Sequence, residues 1–119
     1  MAKQRRVYRV AERLREVLAT HLLDLTDPRL QLVTISSVII SSDLMEAKVY
    51  WQTFNSTAER IKEVAAGFES AQGLLRKCVA QELRLRFVPH LNFIYDDTLD
   101  VSEKVQRLVE RARQMDHKE

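Results

Sequence analysis

The sequence predicts a single α+β domain in which a three-stranded sheet packs on helices. Segments with apolar residues at helical spacing flank two segments rich in β-branched residues and one segment that alternates between apolar and polar residues. Only two glycines and two prolines occur in 119 residues, which predicts few loops. The predicted order is α-β-β-α-kink-α-β-α, with a core over about residues 6–112. The polar tail over 113–119 is a candidate for disorder.

The first helix is predicted over about residues 6–24, where apolar residues recur at helical spacing from Val7 to Leu25. Asp27-Pro28 ends it, because a residue that precedes proline is driven out of helical geometry. Arg9 and Arg13 lie one turn apart and away from the apolar stripe. Both are therefore expected to face solvent.

Two strands are predicted next. The segment 33–40 is β-branched and interleaved with hydroxyl residues, and Ser41-Ser42-Asp43-Leu44 has the composition of a turn. The short turn predicts an antiparallel hairpin. The second strand is predicted to place one set of alternating residues on the same face: Ala47, Val49, Trp51 and Thr53.

A kinked helix pair is predicted between the second and third strands. Asn55-Ser56-Thr57 supplies capping groups for a helix over about 58–70. The sequence Ala71-Gln72-Gly73 then predicts a kink, since glycine weakens a helix and the small alanine lets another backbone approach. The following helix is predicted to reach about Leu85, with core positions Leu74, Leu75, Cys78, Val79 and Leu83.

Pro89 ends that helix, and Leu91, Phe93 and Tyr95 alternate as the buried face of a third strand. A final helix is predicted from its apolar positions Val101, Val105, Leu108, Val109 and Ala112. Three carboxylates separate these two elements, and we expect them to end the strand and cap the helix, a divalent-cation site being the alternative: Asp96, Asp97 and Asp100.

Cationic side chains are concentrated in two segments, although the net charge is only +2. Residues 1–15 hold six lysines and arginines against one glutamate, and residues 71–95 hold four against one. One cationic surface that binds a phosphate backbone is the functional interpretation, and ordinary solvated helix faces are the alternative. The candidate RNA-binding residues are Lys3, Arg5, Arg6, Arg9, Arg13, Arg76, Lys77, Arg84 and Arg86.

Three arginines have structural alternatives. Arg84 and Arg86 flank Leu85 where the helix is predicted to end, so they would also complement the helix dipole and the free carbonyls. Arg29 follows Asp27-Pro28 and is expected to pair with a nearby carboxylate.

No catalytic or metal-binding constellation is found in the sequence. Two isolated glycines form no phosphate-binding loop, and His21, His90 and His117 are scattered without metal-ligand spacing. Cys78 lies on the apolar side of its predicted helix, so a core position is favoured over a nucleophile. We expect a protein that is not an enzyme and has no cofactor or metal. A single cysteine and a basic N-terminus without an apolar run are typical of a cytoplasmic protein.

The predicted order matches one class of KH domain, in which backbone phosphates lie beside the turn between two adjacent helices. The usual GXXG loop is replaced here by Ala71-Gln72-Gly73. Over about residues 5–112 the chain resembles bacterial ribosome-binding factor A, a small-subunit assembly factor. The matching segments are Asp27-Pro28-Arg29-Leu30, Ser42-Asp43-Leu44, Ala47-Lys48-Val49-Tyr50, Ala71-Gln72-Gly73 and Leu83-Arg84-Leu85-Arg86-x-x-Pro89-x-Leu91-x-Phe93-x-Tyr95-Asp96.

The resemblance implies a KH-like domain of type II that binds the immature small (30S) ribosomal subunit and contacts 16S rRNA. It also implies support for late maturation and processing of that RNA, release linked to assembly GTPases, and a monomer off the ribosome. Two residues depart from the family pattern: His90 replaces an acidic residue, and Trp51 is bulkier than the expected aliphatic residue. The alternative function is a cytoplasmic protein-interaction module that docks a partner through the hairpin edge or through Met45 and Trp51.

Overall fold

The computed structural model describes the backbone of residues 2–116 and the side chains of residues 4–116. Within this part of the chain, three helices and three strands follow one another, with one 3-10 turn between the first helix and the first strand. The order is the predicted one, except that a single helix replaces the predicted helix pair. The α+β class is therefore confirmed. The elements are α1 (Ala2–Asp24), the 3-10 turn (Pro28–Leu30), β1 (Val33–Ile40), β2 (Glu46–Thr53), α2 (Ala58–Leu83), β3 (His90–Tyr95) and α3 (Thr98–Asp116).

The sheet has the strand order β1-β2-β3, so β2 is central. β1 and β2 form the predicted antiparallel hairpin, whose register shifts between Ile35 and Ser37, and β2 and β3 are parallel. The hairpin turn is closed by Asp43, whose Oδ1 accepts hydrogen bonds from Ser41 Oγ at 2.6 Å and from the Met45 N–H at 3.0 Å. This turn lies at the same end of the sheet as the start of β3, since the His90 N–H donates to the Met45 carbonyl at 2.8 Å.

The core lies between one face of the sheet and the two helices α1 and α2. The predicted face of β2 is buried at Ala47, Val49 and Trp51, and Trp51 is only 1% exposed. Its ring lies between two aromatic neighbours, with centroid distances of 5.7 Å to Phe68 and 5.1 Å to Tyr95. Phe68 also stacks on Phe93 at 4.4 Å. Trp51 is therefore a core residue, and the proposed Met45–Trp51 docking surface is wrong on this point.

The 3-10 turn is held from two sides. Asp27 accepts from the Arg29 backbone N–H at 2.9 Å and from Arg29 Nη2 at 2.6 Å, which confirms the predicted structural pairing of Arg29. On the other side, Arg60 Nη1 of α2 donates to the Arg29 carbonyl at 3.0 Å. Leu30 is buried beneath α2, where it meets Gly67. Sequence reasoning missed both Arg60 and Gly67, because nothing in their local pattern indicates a partner in a distant turn.

The two helices predicted around Ala71-Gln72-Gly73 are one continuous helix, α2. The prediction that the helix breaks at these residues is therefore wrong, whereas a bend of the helix axis stays a prediction. A single glycine inside a helix costs only about 1 kcal/mol, and the buried residues Phe68 and Leu75 fix the helix on both sides of it. Among the described residues, no other segment approaches Gly73, since a Cβ built there would have no atom within 4 Å beyond its chain neighbours and the backbone of its own helix. Leu74, predicted for the core, is 53% exposed.

α3 forms where its apolar pattern predicts a helix, but it buries none of its residues. It also continues to Asp116, so residues 113–116 of the polar tail are helical, and residues 117–119 lie outside the described part of the chain. Among the described residues, hydrogen bonds tie its first turn alone to the domain: Asp100 accepts from Ser56 Oγ at 3.1 Å and from the Tyr95 hydroxyl. The apolar side chains beyond that turn are exposed: Val101, Val105, Leu108, Val109 and Met115.

Candidate nucleic-acid interface

One side of α1 is cationic because its arginines recur at positions that share a helix face. Arg5, Arg9 and Arg13 follow one another at intervals of one turn, Arg6 lies beside them, and all four side chains are exposed. The opposite side of α1 is buried through Leu14, Val17 and Leu18, which fixes the direction in which the arginines point. The side chain of Lys3, a further candidate, lies outside the described residues.

Arg6 and Arg86 line the same groove, although they are far apart in the sequence. The groove has a volume of about 300 Å³ and lies between α1, the hairpin turn and the segment that follows α2. It is lined by Arg6, Val7, Ser42, Asp43, Leu44, Met45, Leu85, Arg86 and Phe87. The structure thus brings one residue of each predicted cationic segment to a shared surface.

A second groove, of about 460 Å³, continues from the first along α1. Three cations line one side of it, and Leu83 and Leu85 line the other. Two carboxylates also face it, and the exposed Arg13 forms an ion pair with Glu16 at 3.4 Å. Because exposed pairs of this kind are weak, Arg13 remains available to phosphate. The cations of this groove are Arg6, Arg9 and Arg13.

Asp43 gives the first groove a negative group as well. Hydrogen bonds from the Ser41 hydroxyl and from the Met45 N–H lower the pKa of the Asp43 carboxyl below its ordinary value. Asp43 is therefore ionised at neutral pH, when Arg6 and Arg86 are positively charged. A phosphate would bind at the arginine side of the groove and avoid the hairpin turn.

Arg84 and Arg86 occupy different structural positions at the end of α2. Arg84 is the C-cap residue and has a left-handed backbone, with φ 49° and ψ 36°, a conformation for which glycine is favoured. The guanidinium of Arg86 lies 5.6 Å from the centre of the Phe87 ring, at cation–π distance. Both side chains are exposed. Arg84 thus caps the helix through its backbone, and Arg86 belongs to the groove.

Arg76 and Lys77 lie apart from the two grooves. Both are exposed on α2, and neither lines the surface shared by Arg6 and Arg86. Arg76 extends toward the loop before β3, with Nη2 at 3.5 Å from the Val88 carbonyl. The prediction of a single cationic surface is therefore supported by geometry for part of the set, namely Arg6, Arg9, Arg13 and Arg86.

Comparison with known proteins shows which family the chain resembles. A model of the family described as ribosome-binding factor A matches residues 6–109. The chain belongs to the ribosome-binding factor A family. The factor from Thioalkalivibrio sulfidiphilus is 37% identical over 108 residues, which cover 90% of this chain and 83% of that protein. The factor from Sorangium cellulosum is 40% identical over 111 residues, covering 92% of this chain and 90% of its own length.

Solved structures of ribosome-binding factor A share the fold. The crystal structure of the factor from Thermus thermophilus superposes with a TM-score of 0.68 at 27% identity, covering 75% of this chain and 93% of that one. A homology model of the Thermus thermophilus factor, fitted into the cryo-EM map of its complex with the 30S subunit, gives a TM-score of 0.60 at 28% identity, covering 72% of this chain and 90% of that one. The KH-like fold predicted for this member of the family is thereby confirmed.

Two of the groups considered for chemistry, Asp96 and His21, form structural hydrogen bonds. Asp96 caps α3 by accepting from the Thr98 N–H at 3.0 Å, as predicted, and it also accepts from Ser36 Oγ at 2.7 Å. His21 Nε2 lies 2.5 Å from Glu82 Oε1, between α1 and α2. Within residues 2–116, no cluster of three histidine, cysteine or acidic side chains is arranged to hold a metal ion. Nor do the helices described for this family member include one long and apolar enough to cross a membrane.

Proposed function

We propose that this chain binds the immature small ribosomal subunit through 16S rRNA and supports late maturation and processing of that RNA. The observation that carries the proposal is the groove shared by Arg6 and Arg86, which joins the two cationic segments. Guanidinium groups bind phosphates through two parallel hydrogen bonds, so two of them across one groove suit an RNA backbone. The relative fitted into a 30S complex has the same fold, which supports the choice of the small subunit.

The proposed role is that of a binding protein and not of an enzyme. RNA would be contacted first at Arg6, Arg9, Arg13 and Arg86, with Lys3, Arg5, Arg76, Lys77 and Arg84 as further phosphate contacts. The segment Ala71-Gln72-Gly73 would orient Arg76 and Lys77, which lie within the next turn of α2. We further propose a cytoplasmic location, a monomer away from the ribosome, and release assisted by assembly GTPases.

Co-sedimentation with ribosomal particles tests this function. The purified chain is mixed with free small subunits, large subunits and assembled ribosomes at about 50 and 200 mM salt. We expect salt-sensitive binding to small subunits, stronger for immature than for mature particles. Binding to none of the particles would reject the function, and binding that survives nuclease and ignores salt would favour the protein-interaction alternative.

A double variant, Arg6→Ala with Arg86→Ala, tests the site. Removing two phosphate contacts should weaken binding to small subunits and make its dependence on salt less steep by about two units of slope or less. The matched control, Lys48→Ala with Lys62→Ala, removes the same charge from exposed positions that line neither groove. Equal loss in both variants would show that net charge alone matters and that the groove is not the site.

A further inference from the structure

Tyr8 is an aromatic side chain on the cationic side of α1 that the charge analysis does not include. Its ring is 70% exposed. Gln4, Arg5 and Arg9 lie on the same helix face, one turn or one position away, and the four side chains line a hollow of about 530 Å³. Neither Arg5 nor Arg9 pairs with a carboxylate among the described residues. An exposed aromatic ring lies here between two cations that have no carboxylate partner among the described residues. A ligand with both a flat apolar face and negative charge would suit this surface.

Tyr8 also lines a second, apolar space on its other side. This groove lies between α1 and the edge strand β1 and has a volume of about 910 Å³. Ile39, which is 58% exposed, contributes to its floor. None of the described residues that line the groove is charged, and these residues are Gln4, Val7, Tyr8, Ala11, Val38, Ile39, Ile40 and Ser42.

We propose that Tyr8 stacks on an unpaired base of single-stranded RNA. The base would occupy the apolar groove against the Tyr8 ring, and the neighbouring phosphates would lie at Arg5 and Arg9. This rests on the proposed function and deepens it, because it assigns part of the RNA contact to single-stranded RNA. A base inside a duplex is already stacked on both sides and offers no face to the ring, whereas an unpaired base does.

The polar groups at the edge of the groove suit a base as well. The Gln4 amide and the Ser42 hydroxyl line it, and no hydrogen bond among the described residues engages either of them. An amide and a hydroxyl can donate to or accept from a base edge. A peptide strand added beside the edge strand β1 is the alternative occupant of this apolar groove, but the cations Arg5 and Arg9 favour a polyanion.

The test measures the affinity of the full chain for a labelled single-stranded RNA of about ten nucleotides and for a duplex of the same length, each at two salt concentrations. Tyr8→Leu keeps an apolar side chain but removes the stacking face, and Tyr8→Phe keeps that face. Stacking on one base is worth about five- to 150-fold in affinity. We expect Tyr8→Leu to lose that much for the single strand with an unchanged salt slope, and Tyr8→Phe to bind like the unmodified chain.

Two controls make the result specific. Duplex affinity should be the same for Tyr8→Leu and for the unmodified chain, and Phe54→Leu, at an aromatic residue 76% exposed outside both hollows, should change neither affinity. If Tyr8→Leu retains its affinity for the single strand, as it would if the groove bound a peptide, the stacking proposal is overturned. If the unmodified chain binds small subunits and Tyr8→Leu keeps its affinity for the single strand, only the stacking contact is rejected. Failure to bind small subunits rejects the proposed function.

Discussion

Gly67 lies where α2 crosses the Pro28–Leu30 turn, and its missing side chain makes the crossing possible. A Cβ built on it would lie 2.9 Å from Leu30 Cδ2 and 3.2 Å from Arg29 Cβ. Neither neighbour retreats easily, because Leu30 is buried and Arg29 is tied to Asp27. Gly73 of the same helix has free space around it. The two glycines therefore have different roles, although both are helical.

Alanine substitution should separate these roles. Gly67→Ala should lower the free energy of unfolding by about 1–2 kcal/mol, since overpacking outweighs the gain in helix propensity. Gly73→Ala should raise it by about 0.5–1 kcal/mol, because only the propensity changes. Urea denaturation of both variants measures the difference. Equal stability would contradict the close packing at Gly67, and a loss of stability in Gly73→Ala would indicate that α2 bends there.

At the scale of elements, α3 behaves differently from α1, although both helices carry an apolar stripe. Leu14 of α1 is fully buried, whereas Leu108 of α3 is 61% exposed. Leu14→Ala should therefore cost about 2–5 kcal/mol of unfolding free energy, and Leu108→Ala less than about 0.5 kcal/mol. Thermal and urea unfolding of the two single variants provide a matched comparison. A cost above about 1 kcal/mol for Leu108→Ala would mean that α3 packs on the domain.

This contrast shows what the sequence predicts and where it stops. Helical spacing predicts that α1 and α3 form, because periodicity is a local property. Whether an apolar stripe is buried depends on the rest of the molecule. The face of the sheet that forms the core is already covered by α1 and α2. In the same way, the sequence identifies two helical glycines but not which of them meets another segment. The prediction that Leu74 lies in the core is wrong because its neighbour Leu75 already occupies the core-facing position.

At the scale of the whole molecule, the sequence predicts one part of the candidate site, and the other part depends on the tertiary structure. Charge clustering in the sequence predicts the participating segments, and exposure follows from amphipathic spacing. That Arg6 reaches Arg86 depends on how the end of α2 and the hairpin turn meet α1, which is tertiary information. Neither the charge pattern nor a motif in the sequence points to Tyr8. Its proposed role in RNA binding is inferred from the groove beside β1.

Three of the segments that connect helices and strands each contain an aspartate whose ionised carboxylate accepts hydrogen bonds. Hydrogen bonds from Arg29 lower the pKa of Asp27 before β1, those from Ser41 and Met45 lower that of Asp43 in the hairpin turn, and those from Thr98 and Ser36 lower that of Asp96 before α3. A carboxyl with a lowered pKa in the folded state binds protons more readily in the unfolded state. Its contribution to stability is therefore complete above the ordinary pKa of 3.8 and is lost as the pH falls through the lower folded value.

We expect the unfolding free energy of the whole chain to fall as the pH drops below about 4, with these three carboxyls responsible for part of the slope. A triple variant, Asp27→Asn, Asp43→Asn and Asp96→Asn, should be less stable at neutral pH but should lose less stability on acidification. The control replaces Glu59, Glu69 and Glu103, three exposed glutamates outside the connections, with glutamine. Urea unfolding from pH 6 to about pH 3 compares the slopes. If the triple variant and the unmodified chain have the same slope, the acid sensitivity arises elsewhere, because a neutral amide at the three connections removes their proton uptake.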